Sequence, residues 1–146
     1  FPDDIDAPGP TLVSTATLET VAGWFPGLTV DEVRARFRAN LEIDGVPPFW
    51  EDRLCGPVGT APAFRLGSVT FAGVNPCQRC VVPTRDSSTG DVFAGFQNTF
   101  VRLREASLPA EVDRSRFDHF YRLTINTRLV ELGSGRLQVG DLLEVL

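Results

Sequence analysis

Phe64-Arg65-Leu66-Gly67-Ser68-Val69-Thr70-Phe71-Ala72-Gly73-Val74-Asn75-Pro76 is the stretch that decides the fold. Apolar Phe64, Leu66, Val69, Phe71 and Val74 recur with the alternation of a half-buried strand. Gly67-Ser68 interrupts the pattern in its middle, so the segment reads as a hairpin that runs on into Asn75-Pro76. Outward from it, further strands are expected over residues 11–14, 41–43, 81–85, 117–126, 128–132, 137–139 and 142–146. Turns at Asp44-Gly45, at Asp86-Ser87-Ser88-Thr89-Gly90 and at Gly133-Ser134-Gly135 separate them.

Helical signals are fewer. Leu18, Val21, Ala22 and Phe25 have the spacing of an amphipathic helix over residues 17–25, stopped by Pro26-Gly27. Thr29-Val30-Asp31-Glu32 has the spacing of a capping box and predicts a second helix start. Over residues 33–39 a strand-like alternation of Arg34, Arg36 and Arg38 with apolar neighbours competes with that start. Phe96, Phe100, Val101 and Leu103 mark a third helix over residues 95–106, while residues 46–62, rich in Pro and Gly, read as loop with a turn at 49–53. Short, closely spaced strands with a few short helices predict an α+β domain, mostly β and barrel-like.

A chain of 146 residues fits one domain; residues 1–10, rich in Pro, Asp and Gly, read as a linker or extended arm, and residues 11–146 as the domain. With 42% hydrophobic and 23% charged residues the composition excludes a disordered chain. No apolar run approaches the ~18 residues of a membrane span, and the acidic start Phe1-Pro2-Asp3-Asp4-Ile5-Asp6 is unlike a signal peptide. A soluble, cytoplasmic protein without a membrane partner is expected. The sequence contains no methionine, even at its first position, so it reads as the C-terminal part of a longer chain. A formal charge of −5 argues against a nucleic-acid partner, which would need excess positive charge. All fourteen basic residues are arginine, for which genomic base composition is the plainer explanation, although arginine also forks phosphates and carboxylates as lysine does not. Three cysteines, Cys55, Cys77 and Cys80, are too few for a disulfide scaffold, and reduced thiols are expected.

Pro76-Cys77-Gln78-Arg79-Cys80 is the sharpest chemical feature. Its C-x-x-C spacing suits a zinc knuckle or a redox pair, but a zinc site would have to collect Cys55 and the single His119 from afar. A thioredoxin-like pair would open a helix, whereas Val81-Val82-Pro83 follows here. Two cysteines packed as small apolar residues is the plain alternative. Arg79 and Arg85 flank the motif, and nearby positive charge favours the thiolate that binds a soft metal, unless both are simply surface charges. A second cluster, Arg36-Phe37-Arg38-Ala39-Asn40, could offer guanidinium forks and an amide to a phosphate or a pterin-like ring, or could be a charged strand edge. A third, Thr15-Ala16-Thr17, could bind an anion at a helix start or merely cap that helix.

Taken in order, these segments resemble the MOSC family, the C-terminal domain of molybdenum-cofactor sulfurases and of amidoxime-reducing molybdenum enzymes. The resemblance rests on Thr15 to Leu18, Arg36 to Asn40, Pro48-Phe49-Trp50-Glu51-Asp52, Pro76 to Cys80, Asp86 to Gly90 and Val139-Gly140-Asp141, collinear over nearly the whole chain. It implies a MOSC-type β-barrel, similar to the pyruvate-kinase barrel, that binds the molybdenum cofactor (molybdopterin). Cys80 would be the metal ligand and catalytic residue. Thr17, Arg36, Arg38, Asn40, Arg79 and Asn126 would bind the cofactor, with Glu51 and Asp52 structural. Ala39 stands where the family has proline, and the segment before Asn126 lacks the family's glycine.

The resemblance further implies part of an oxidoreductase that reduces N-hydroxylated small-molecule substrates, served by an electron-donor protein or an upstream domain. In sulfurases the upstream domain binds pyridoxal phosphate. The alternatives are a sulfur carrier with a persulfide on Cys80, alone or with Cys77, and a non-catalytic binding module.

Overall fold

The computed structural model describes residues 5–146. Its strands are β1 (Leu12–Ser14), β2 (Leu41–Ile43), β3 (Ala63–Leu66), β4 (Val69–Gln78), β5 (Arg122–Glu131) and β6 (Leu143–Val145). They form one sheet in the order β2-β1-β5-β4-β3-β6. β1 and β2 run parallel, connected through helices α1 (Thr15–Gly23) and α2 (Val30–Phe37), and the other pairings are antiparallel. The expected hairpin is β3–β4: Phe64 faces Phe71 and Leu66 faces Val69. The edge strands β2 and β6 do not pair, yet residues 40–46 and 137–143 line one cleft of about 770 Å³ between them. The sheet is thus curled into a half-barrel, and the expected mostly-β α+β architecture takes that open form.

Capping fixes both early helices. Ser14 accepts a bond from the Thr17 amide at 3.1 Å, so α1 starts two residues before the predicted Thr17. The capping box closes α2, with Thr29 N donating to Glu32 and Glu32 N donating back to Thr29 Oγ1. The competing alternation over residues 33–39 yields to the helix, which runs to Phe37 and buries Val33, Arg36 and Phe37. The third helix, α3 (Phe96–Ala106), buries Phe96, Phe100 and Arg104, one stripe at a four-residue spacing.

Two clusters make the core. The larger joins Val13, Leu18, Val21, Phe25, Val33, Phe37, Phe49, Phe96, Phe100, Tyr121 and Leu123 around the three helices. Phe25 stacks on Phe96 at 4.3 Å, and Phe100 meets Phe37 at 5.4 Å and Tyr121 at 5.5 Å. The smaller joins Leu12, Leu54, Phe64, Leu66, Val69 and Phe71 under the hairpin. There a Cβ on Gly73 would run into the Leu54 carbonyl, so only glycine lets β4 approach the 3-10 turn Trp50–Cys55. Asp52 in that turn pairs with Arg104 at 2.5 Å, both almost fully buried, and the Arg104 guanidinium lies 4.4 Å from the Phe49 ring. Glu51, also buried, accepts the Ser14 amide.

Four expected strands are not as predicted. Residues 81–85 form a 3-10 turn, Val82–Thr84, because Pro83 has no N–H for a ladder and Thr84 Oγ1 closes onto the Val81 carbonyl at 2.6 Å. Residues 137–139 sit in a turn closed by Asp141, whose carboxylate accepts the Gln138 amide at 2.8 Å. The segments 117–126 and 128–132 are one strand, β5, which begins only at Arg122. Of the predicted arm, residues 1–4 lie outside the described residues; Ala7 is buried, and the Gly9 amide donates to the Thr127 carbonyl at 2.8 Å, so the rest lies along β5.

Candidate functional site

The Pro-Cys-Gln-Arg-Cys motif closes β4, which ends at Gln78, and Arg79 and Cys80 lie beyond the strand. The Arg79 amide donates to the Tyr121 carbonyl at 3.0 Å, so the motif stays laced to the start of β5. The Arg79 side chain turns inward. Its Nε and Nη2 donate to the Leu123 carbonyl at 3.0 and 2.7 Å, Nη2 also donates to Thr124 Oγ1 at 2.5 Å, and Nη1 donates to the Phe37 carbonyl at 3.1 Å. The guanidinium lies 5.4 Å from the Phe37 ring centroid. A cation at the last carbonyl of α2 also complements the helix dipole. One arginine therefore clamps the end of α2 to β5 directly beneath the residue that carries the exposed thiol.

The three thiols are free and differ in their surroundings. Cys80 is exposed; Cys77 is half-buried with its thiol toward the Gln78 carbonyl at 3.5 Å; Cys55 is buried. Burial pushes the Cys55 thiol up to about 12, with the nearby Asp52 adding to the effect, so this sulfur stays protonated and inert. Among the described residues no three His, Cys, Asp or Glu side chains form a metal cluster.

The other expected site residues are spread over several structural duties. Arg36 is buried: it donates to the Pro83 carbonyl at 3.1 Å and lies 3.8 Å from the Asp86 carboxylate, tying α2 to the turn after Cys80. Thr17 is fully buried, and its Oγ1 accepts from Ser14 Oγ at 2.8 Å and from the Phe49 amide at 2.7 Å. Arg38, by contrast, caps α2 in a left-handed conformation with φ 52 and is exposed. Among the described residues its guanidinium makes no hydrogen bond or ion pair. Asn40 is exposed, and its Oδ1 accepts from the Thr11 amide and hydroxyl at 2.9 and 3.1 Å. Asn126 is half-buried on β5 and donates to Asn75 Oδ1 across the β4–β5 pair at 2.8 Å. Arg85 donates to the Gly90 carbonyl and closes the turn of residues 86–90, whose Asp86 carboxylate accepts the Ser88 and Thr89 amides.

Arg36 thus ties α2 to the Val82–Thr84 turn, Arg79 ties the end of α2 to β5, and Arg38 caps that same end of α2. Thr17 is a core residue. The large cleft between β2 and β6 is lined by Asn40 but not by Cys80.

Two residues escaped the sequence reading. Tyr121 is buried at 4% exposure, and its hydroxyl has no hydrogen-bond partner among the described residues. Burial pushes its phenol up to about 12, the charge of Cys80 adding to the shift and that of Arg79 opposing it. Thr124 takes φ 70, a conformation that strains a β-branched residue. It lies in the very segment where the resemblance led to the expectation of glycine, and its hydroxyl is one of the oxygens that hold Arg79. The missing glycine was the only signal of it.

A family model for the MOSC domain matches residues 11–144. The chain belongs to the MOSC domain family. Among curated proteins it is similar to the molybdenum cofactor sulfurase of Drosophila mojavensis, 30% identical over 111 residues, which is 70% of this chain and 13% of that protein. It is also similar to the molybdenum cofactor sulfurase of Caenorhabditis elegans, 34% identical over 64 residues, which is 44% of this chain and 8% of that protein. The chain therefore spans only a small part of the length of these relatives. Among the described residues no helix is long and apolar enough to cross a membrane.

Proposed function

We propose that this domain holds the molybdenum cofactor and turns Cys80 toward its metal. The observation that carries the reading is the position of Cys80: an exposed cysteine whose backbone is anchored by the half-buried Arg79 clamp. The donor chemistry fits the group. A thiolate is a soft ligand suited to such a metal, and Arg38, exposed and without a partner among the described residues, suits an anionic phosphate. Asn40 and Asn126 offer polar side chains at or near the surface. Thr17, Arg36 and Arg79 support the site from behind by fixing Phe49, the Val82–Thr84 turn and β5. When bound, the cofactor supplies redox chemistry at its metal, and the protein supplies orientation and charge.

On this reading the chain is the cofactor-bearing part of a cytoplasmic oxidoreductase that reduces N-hydroxylated small molecules, with electrons delivered by a donor protein or an upstream domain. A second reading is favoured by the relatives, which are named as sulfurases, and by the openness of Cys80 to solvent. There Cys80 carries a persulfide and hands its terminal sulfur to an acceptor.

The test is elemental analysis and mass spectrometry of the protein from a host that makes the cofactor. Molybdenum that is retained by the parent chain and lost in Cys80→Ala supports cofactor holding. An extra sulfur on Cys80 without molybdenum supports the carrier. Finding neither molybdenum in the parent chain nor an extra sulfur on Cys80 identifies a non-catalytic module and overturns both.

A further inference from the structure

The last part of β5 breaks the alternation of a half-buried strand. From Arg128 to Glu131 four successive residues are exposed, so both faces of the strand end are uncovered, although Thr127 just before them is fully buried. The chain then runs on as a loop over residues 132–142 that is stapled to the β3–β4 turn near both ends. The Ser134 amide donates to Ser68 Oγ at 3.0 Å, and the Gly67 amide donates to the Leu142 carbonyl at 3.1 Å. Between the staples Val139 stands at the tip of a turn in which the Asp141 amide donates to the Gln138 carbonyl at 3.1 Å. A fixed backbone therefore holds its fully exposed side chain outward.

Leu129, Val130, Leu132, Leu137, Val139 and Leu142 are six of the thirteen large apolar side chains exposed among the described residues. Together they expose on the order of 700 Å², which falls within the ~600–1,000 Å² that each partner gives to a standard interface. Apolar area on that scale marks an interaction surface. The charges set among these side chains point to the occupant. Arg128, Glu131, Arg136 and Asp141 are exposed, and none of them is in an ion pair among the described residues. A partner of one-sided charge calls for a face of the opposite sign. Two cations and two carboxylates on one face instead complement the same face turned about a two-fold axis.

We infer that the apolar face formed by the end of β5 and the loop over residues 132–142 is the contact between two copies of this chain. The contact buries the six apolar side chains of each copy and lets Arg128 and Arg136 of one meet Glu131 and Asp141 of the other. The ten-residue strand β4, about 30 Å of chain, runs from the hairpin turn at this face to the cysteine motif. The inference therefore does not rest on the role of Cys80.

Sedimentation velocity on the purified chain over a dilution series tests it. The parent should run as a dimer at about 100 μM, since faces of this size pair with micromolar or tighter affinity. Val139→Arg puts a charge at the centre of the contact, on a side chain that is fully exposed in the single chain, and should raise the dissociation constant at least about tenfold. Arg128→Glu/Arg136→Glu leaves only carboxylates on the face and should weaken the pair to a similar extent. A parent chain that is monomeric at the highest concentration overturns the inference, and so does a dimer that either variant leaves as tight as before.

Discussion

Around the helices, Phe25, Phe37, Phe96 and Phe100 are almost fully buried and touch ring to ring, whereas beyond Thr127 the chain leaves Val130, Leu132, Leu142 and Val145 more than half exposed. The sheet is continuous through both regions, and β4 and β5 belong to each. Burial, and not strand pairing, separates them. The packed region supports the backbone on which Arg79 and Cys80 sit. The open region flanks the cleft between the unpaired edges of β2 and β6.

The largest effects are therefore expected in the packed region. Asp52→Ala would leave Arg104 buried without its counter-charge and should cost about 3–5 kcal/mol in urea unfolding, with Phe100→Ala costing a similar amount, about 3–5 kcal/mol, through the cavity it opens. A loss below about 1 kcal/mol for either would mean that this region is less tightly packed than its ring contacts indicate.

A smaller effect is expected at Thr124. Thr124→Ala keeps the strained backbone and loses the hydroxyl on Arg79, while Thr124→Gly loses the hydroxyl and relieves the strain. The glycine variant should be more stable than the alanine variant by about 1 kcal/mol. The reverse order in thermal melts would show that the left-handed conformation carries no strain.

The pH dependence adds a narrower test. Burial pushes the Asp52 carboxyl up to about 6, against the pull of Arg104. The unfolded chain gives up the same proton at about 4, so between these values the folded state holds more protons and stability falls as pH rises, levelling off above about 6. Asp52→Asn should abolish that slope in unfolding curves measured across the window, and a slope that persists would assign it to another group. The smallest effect belongs to the open region, where Val145→Ala should change stability by no more than about 0.5 kcal/mol. A larger loss would reveal that something covers β6 in solution.

The hairpin, the capping box of α2 and the stripe of α3 were legible in the sequence because each is decided by neighbours a few residues apart. The turn at Val82–Thr84 was not, since β-branched residues suggested a strand and one proline overruled them. The site was legible in part. The motif singled out Cys80 but left open whether its cysteines pack as apolar residues, and spacing could not tell that Arg36, Arg79 and Thr17 have their hydrogen bonds inside the protein while Arg38 does not. Those distinctions depend on contacts between residues some thirty to fifty positions apart. Tyr121 was read only as part of a strand, because an unpartnered hydroxyl leaves no trace in sequence.

The most direct measurement is X-ray absorption at the molybdenum edge of the domain loaded with cofactor, compared with the Cys80→Ser variant loaded in the same way. With Cys80 as ligand, one protein-derived sulfur contribution is present in the parent and lost in the variant. Identical metal–sulfur scattering from the two would contradict that role for Cys80.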